Sequence, residues 1–151
     1  LPLTQVKKLQ FYTLLTPNAH LLVSPRRLYG IEGHTMIDSH YHPALMSGRK
    51  PGLTIVAPAT FNTLTKISQG IADTLAHSVI AEAIGARWPV IVAPSLNQAL
   101  FNHPQTAKSL DTLSEWGVTV VPPYLGGNNP NITFVDSVIN FVSQEIEKIT
   151  V

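Results

Sequence analysis

Two short runs rich in β-branched residues, Leu53-Thr54-Ile55-Val56 and Pro89-Val90-Ile91-Val92, are each followed by a loop that opens a helical pattern. This repetition constrains the chain more than any other feature. Short apolar runs without alternation mark strands covered on both faces, and strands separated by helices pair in parallel. The loops are Ala57-Pro58-Ala59-Thr60-Phe61-Asn62-Thr63 and Pro94-Ser95-Leu96-Asn97-Gln98-Ala99, with an asparagine at matching places. In open parallel sheets, ligands sit at the carboxyl ends of the strands, where such loops lie. A loop of Ala, Pro and Thr lets backbone N–H groups approach a flat ligand. An Asn amide adds a donor and an acceptor.

The rest of the chain continues the alternation. Thr4 to Leu15 reads as a helix with Thr4 as its N-cap, and Ala19 to Val23 as a buried strand ended by Ser24-Pro25. Arg26 to Tyr29 starts a short helix, and Gly30 to Gly52 is mostly loop. A strand covers Leu53 to Ala57. From Asn62 to Gly85 the residues Leu64, Ile67, Ile71, Leu75, Val79 and Ala83 recur at helical spacing, with Gly70 breaking or pinching the run. Pro89 to Ala93 is a strand, His103 to Glu115 a helix, and Val118 to Val121 a strand. Pro122 to Asn131 is a turn-rich loop, and Thr133 to Ile149 an amphipathic closing helix. The pattern predicts an α/β fold, a Rossmann-like three-layer α/β/α sandwich with a parallel sheet, formed as a single domain over residues 1–151.

Charge narrows the function. A formal net charge of +1 supplies no basic stripe, so nucleic acid is not an expected partner. No apolar run is long enough to cross a bilayer, so no membrane role is expected. The absence of cysteine removes disulfides and thiolate nucleophiles and fits a cytoplasmic protein. Only 13% of residues are charged, which fits self-association.

The segment Pro58-Ala59-Thr60-Phe61-Asn62-Thr63, continuing to Gly70-Ile71-Ala72-Asp73, resembles the signature of the homo-oligomeric flavin-containing cysteine decarboxylases, the phosphopantothenoylcysteine decarboxylase-like family. Pro94-Ser95-Leu96-Asn97-Gln98-Ala99-Leu100-Phe101 is similar to that family's second motif. Gly117-Val118-Thr119-Val120-Val121-Pro122 is similar to the strand ending that follows it. The resemblance runs from about Leu53 to Pro123. It implies FMN as cofactor and decarboxylation of a small-molecule or cysteine-ended substrate, in which the flavin oxidises the thiol-bearing centre before CO2 is lost. It implies homotrimers or multiples of trimers, with flavin between subunits. Members of the family begin with a strand and a Gly/Ser-rich loop that holds the flavin phosphate at a helix N-terminus. No glycine occurs here before Gly30, so the expectation is that this N-terminal strand and phosphate loop are missing from the present chain.

Carried over residue by residue, the resemblance places the flavin against Pro58, Ala59, Thr60 and Asn62, with Ser24 near the phosphate. It places the substrate carboxylate on Asn97 and Asn62. Helix capping is an alternative role for Asn62. The family uses a histidine upstream of the first motif, which makes His42 the candidate base beside Asn62, with His40 second. Asp38, His40 and His42 also look like a metal cluster. They lack a further partner at fixed spacing, so no metal is expected. His103, before Pro104, reads as structural. Two other functions remain open: a non-catalytic flavin-binding or degenerate subunit, and an FMN-dependent oxidoreductase of unknown substrate.

Overall fold

A computed structural model describes residues 9–46, 51–127 and 130–150. The Cα positions cluster into two compact units, residues 1–50 with 73–76, and residues 51–72 with 77–151.

The first unit is built on two parallel strands, β1 (Phe11–Thr13) and β2 (His34–Met36), in the register Phe11↔His34, Tyr12↔Thr35, Thr13↔Met36. Two short helices, α1 (Pro17–Leu22) and α2 (Pro25–Tyr29), connect them. A further short helix, α3 (Pro43–Met46), follows β2. Three expectations change here. The predicted helix Thr4 to Leu15 gives way to β1: Phe11, Tyr12 and Thr13 are aromatic and β-branched residues that suit a pleated surface, and β2 supplies their ladder. Thr4 lies outside the described residues. The predicted strand Ala19 to Val23 is helical. Thr16 caps α1 by accepting from the Ala19 amide at 3.3 Å, and Pro17 occupies the first turn. The apolar run misled because Leu21 and Leu22 are 84% and 78% exposed. The loop expected from Gly30 to Gly52 contains β2 and α3, while residues 47–50 lie outside the described ones.

The second unit carries the parallel sheet β3–β4–β5, with β3 at Thr54–Ala59, β4 at Val90–Pro94 and β5 at Thr119–Val120. Thr54 pairs with Val90 and Val56 with Val92, then Ile91 with Thr119. The helices are α4 (Phe61–Ser68), α5 (Leu75–Gly85, its first two residues in the first unit), α6 (Gln98–Phe101), α7 (Pro104–Glu115) and α8 (Ile132–Thr150). The predicted 62–85 helix is two helices, α4 and α5. Gly70 breaks it by adopting φ +69°, a left-handed conformation that costs glycine little.

All five residues of β4 are buried. Successive strand side chains point to opposite faces, so both faces of β4 are covered, as the absence of alternation in Val90-Ile91-Val92 predicts. Ala59, Leu64, Ile67, Ile80, Ala83, Val92, Leu96 and Leu113 form one core. Helix α4 turns Thr63, Leu64 and Ile67 inward. It packs on α7, where the Ser68 hydroxyl lies 2.9 Å from that of Ser109. Small side chains allow this close crossing. Helix α8 packs on β4, with Phe134 and Val142 buried.

Candidate functional site

The parallel register brings the carboxyl ends of β3 and β4 together, and the two asparagine loops leave from these ends. The Ser95 amide donates to the Ala59 carbonyl at 2.9 Å, so the loops are joined where they leave the sheet. Ala59 is fully buried, whereas Pro58, Thr60 and Asn62 are exposed beside it. Pro58 and Ala59 belong to β3, two residues beyond the end expected at Ala57.

Thr60, rather than Asn62, caps α4. Its backbone is extended (φ −72°, ψ 165°), and its hydroxyl accepts from the Thr63 amide at 3.4 Å. The helix therefore starts one residue earlier than expected and puts Asn62 in its exposed first turn. The Asn62 amide is left free to face a ligand.

Asn97 caps α6. Its side-chain oxygen accepts from the Leu100 amide at 2.9 Å, and its own carbonyl accepts from Phe101. Asn97 is exposed, and this cap bond uses its side-chain oxygen rather than its NH2 group. Asn97 thus has one atom fixed by the fold and one available to an acceptor such as a carboxylate.

Ser95 has a structural role that its place in the motif does not reveal. It is 3% exposed, and its hydroxyl donates to the Gly127 carbonyl. Three backbone bonds reinforce this tie: Tyr124 N–H to Pro94 O at 2.9 Å, Leu96 N–H to Tyr124 O at 2.8 Å, and Gly127 N–H to Leu96 O at 3.0 Å. The segment Tyr124–Gly127 is thereby laced to the loop that holds Asn97. Asn128 and Asn129, at the end of that loop, lie outside the described residues. A shallow hollow of about 250 Å3 lies between Pro122–Tyr124 and the start of α8; neither Asn62 nor Asn97 lines it.

Ser24 and His42 belong to the first unit. Ser24 follows a helix rather than the expected strand. It stands at the N-cap of α2 with an extended backbone, and its exposed hydroxyl makes no cap bond. His42 is half-buried. Its Nδ1 accepts from the Ala44 amide at 3.2 Å, and its ring meets Tyr12 edge-on at 6.3 Å. An accepting Nδ1 assigns the neutral ring's proton to Nε2. His40 is exposed. Among the described residues, no three His, Asp or Glu side chains are grouped to hold a metal ion, and no helix is long and apolar enough to cross a membrane.

The chain resembles proteins of known structure and activity. It is 23% identical over 143 residues to the coenzyme A biosynthesis bifunctional protein CoaBC of Thermococcus kodakarensis, a match covering 91% of this chain and 35% of that protein. It is 41% identical over 69 residues to a probable phosphopantothenoylcysteine decarboxylase of Arabidopsis thaliana, covering 46% of this chain and 34% of that one. The chain therefore spans about a third of the length of these curated relatives. Among solved structures, the FMN-dependent cysteine decarboxylase TvaF from thioviridamide biosynthesis superposes with a TM-score of 0.67 at 25% identity, covering 91% of this chain and 85% of that one. These likenesses confirm the Rossmann-like fold, and the family model described as Flavoprotein matches residues 4–147, so the chain belongs to the Flavoprotein family.

Proposed function

We propose that this protein binds FMN and decarboxylates a cysteine-derived carboxylate. The observation that carries this reading is the joining of the two asparagine loops, Ser95 N–H to Ala59 O, in a chain whose family is shown. The residues fit a flat, polar-edged ring. Pro58 and Thr60 give a low exposed floor beside the buried Ala59, and the free Asn62 amide offers a donor and an acceptor to a ring edge. Ser24, with its uncommitted hydroxyl, is the proposed phosphate contact.

Bound FMN would supply the two-electron chemistry that activates the carbon bearing the carboxylate. The chain supplies orientation and proton handling. Asn62 and the NH2 group of Asn97 hold the carboxylate by charge-assisted hydrogen bonds. His42 is the proposed proton-transfer residue, with Nε2 the ring atom that its Nδ1 contact to Ala44 leaves open. A homotrimer or a multiple of it, acting in the cytoplasm, is the proposed assembly. It is supported by the low charge of the chain and by apolar surface such as Ile132, which is 72% exposed. Light scattering that shows a stable monomer overturns that assembly.

The test is an FMN titration of the purified protein followed by CO2 measurement with 4′-phosphopantothenoylcysteine and with a cysteine-ended peptide. Flavin uptake with CO2 release is expected, together with weaker flavin retention in Asn62→Ala and lost CO2 release with FMN still bound in His42→Asn. Failure to take up FMN overturns the reading. FMN bound without CO2 release from either substrate leaves a flavin-binding subunit or an oxidoreductase.

A further inference from the structure

We infer that His103 is a positioning residue for the first asparagine loop, holding Asn62 in place through the ring of Phe61. This rests on the reading that Asn62 faces the flavin. His103 lies just beyond α6 and does two separate things. Its Nδ1 accepts from the Gln105 amide at 3.0 Å and so caps α7. Its ring also meets the ring of Phe61 edge-on, with centroids 5.1 Å apart and planes at 70°. The first contact serves its own helix. The second crosses from the end of one motif to the middle of the other.

Phe61 is the anchor of its loop. It is half-buried against the main core, between the exposed residues Thr60 and Asn62. The Thr60 side-chain cap bond is long at 3.4 Å, while the Leu64 amide donates to the Thr60 carbonyl at 2.9 Å, so hydrogen bonds close this turn on itself but do not tie it to the second loop. The packing of Phe61 therefore sets where the first turn of α4 sits. An edge-to-face aromatic pair has a preferred geometry, which the two Cβ positions translate into a fixed separation of the loops. The Gln105 contact uses one ring atom of His103, Nδ1, and the packing on Phe61 uses the ring as a whole, so the two contacts can be removed separately. The chain thus joins its two loops twice, by Ser95 N–H to Ala59 O at the strand ends and by His103 to Phe61 one turn further out.

Two variants of the full chain separate the roles. In His103→Asn the side-chain oxygen can still cap Gln105, but the ring is gone. In His103→Phe the ring pair survives, but the cap is gone. Amide hydrogen exchange reads both. The Thr63 and Leu64 amides, bonded to Thr60 Oγ1 and O, report the first loop, while Gln105 reports the start of α7. A crossed pattern is expected: His103→Asn speeds exchange at Thr63 and Leu64 and spares Gln105, and His103→Phe does the reverse. FMN affinity should fall about two- to tenfold in His103→Asn, the range set by an aromatic pair, and stay within about twofold in His103→Phe. Wild-type exchange at Thr63 and Leu64 in His103→Asn overturns the inference, as does equal FMN affinity in all three proteins. If the wild-type protein takes up no FMN, the flavin reading falls, and the exchange pattern alone decides whether His103 positions the loop.

Discussion

The Ser95 amide donates to the Ala59 carbonyl, and the Ser95 hydroxyl donates to the Gly127 carbonyl. One buried residue thus ties the end of β4 to the end of β3 on one side and to the Tyr124–Gly127 segment on the other. Ser95→Ala keeps the first bond and removes the second. A loss of about 0.5–1.5 kcal/mol is expected from a single hydrogen bond whose half-buried acceptor water can reach. Urea denaturation measures it, and protease cleavage near residues 124–127 should rise in the same variant.

Asn97 combines a cap with a proposed ligand contact, and substitution separates them. Asn97→Ala removes the acceptor for the Leu100 amide and should cost about 0.5–2 kcal/mol. Asn97→Asp keeps the cap, so its stability should stay near wild type. Its carboxylate repels a carboxylate substrate, so KM for a cysteine-derived acid should rise more in Asn97→Asp than in Asn97→Ala. Equal KM in both would place the substrate carboxylate elsewhere.

Two helices end in the same hydrogen-bond pattern with different residues at the turn. After α5, Arg87 N–H bonds Ile84 O and Trp88 N–H bonds Ala83 O, with Arg87 at φ 58°. After α7, Gly117 N–H bonds Ser114 O and Val118 N–H bonds Leu113 O, with Gly117 at φ +80°. Glycine is the usual residue at this left-handed position. Arg87→Gly should therefore stabilise the protein by about 0.5–1 kcal/mol, the left-handed strain relieved less the entropy that glycine loses. Gly117→Ala should destabilise it by about 1 kcal/mol. Thermal melts of the two variants shifting in opposite directions check both.

Leu113 is fully buried in the core and packs from α7 beneath the sheet. Leu113→Ala should cost about 2–5 kcal/mol through lost burial and the cavity left behind. A smaller loss by denaturant titration would mean that α4 and α7 can close the gap.

The second unit was the more legible in sequence. Val90-Ile91-Val92 and the recurrent apolar positions of α4 and α5 obey periodicities that burial enforces, and Gly70 marked the break between the helices. The stretch from Phe11 to Val23 was misread because Leu21 and Leu22 are apolar but exposed, so hydrophobicity did not report burial there. Thr16-Pro17, a cap followed by a first-turn proline, was the better signal. At the candidate site, the two asparagines stand out in the sequence by their matching places in the loops. That Thr60 rather than Asn62 caps α4 depends on where β3 ends, and Ala59 and Pro94 carry that strand past the obvious apolar run. Ser95 had no local signal, because Gly127, its partner, lies 32 residues away in the chain.

The fully buried β4 ends directly in the loop that carries Asn97, and β3 in the loop that carries Asn62; both asparagines are exposed. This divides the labour of the sequence sharply. Between Val90 and Leu96 nearly any change of size or polarity disturbs the fold, so those positions have little room to drift. At Pro58, Asn62, Gln98 and Ala99 a side chain can change while the core remains as it was. New preferences at the proposed site can therefore arise through single steps at the rim, with each intermediate still folded. A chain arranged this way can be retuned by selection without first becoming more stable.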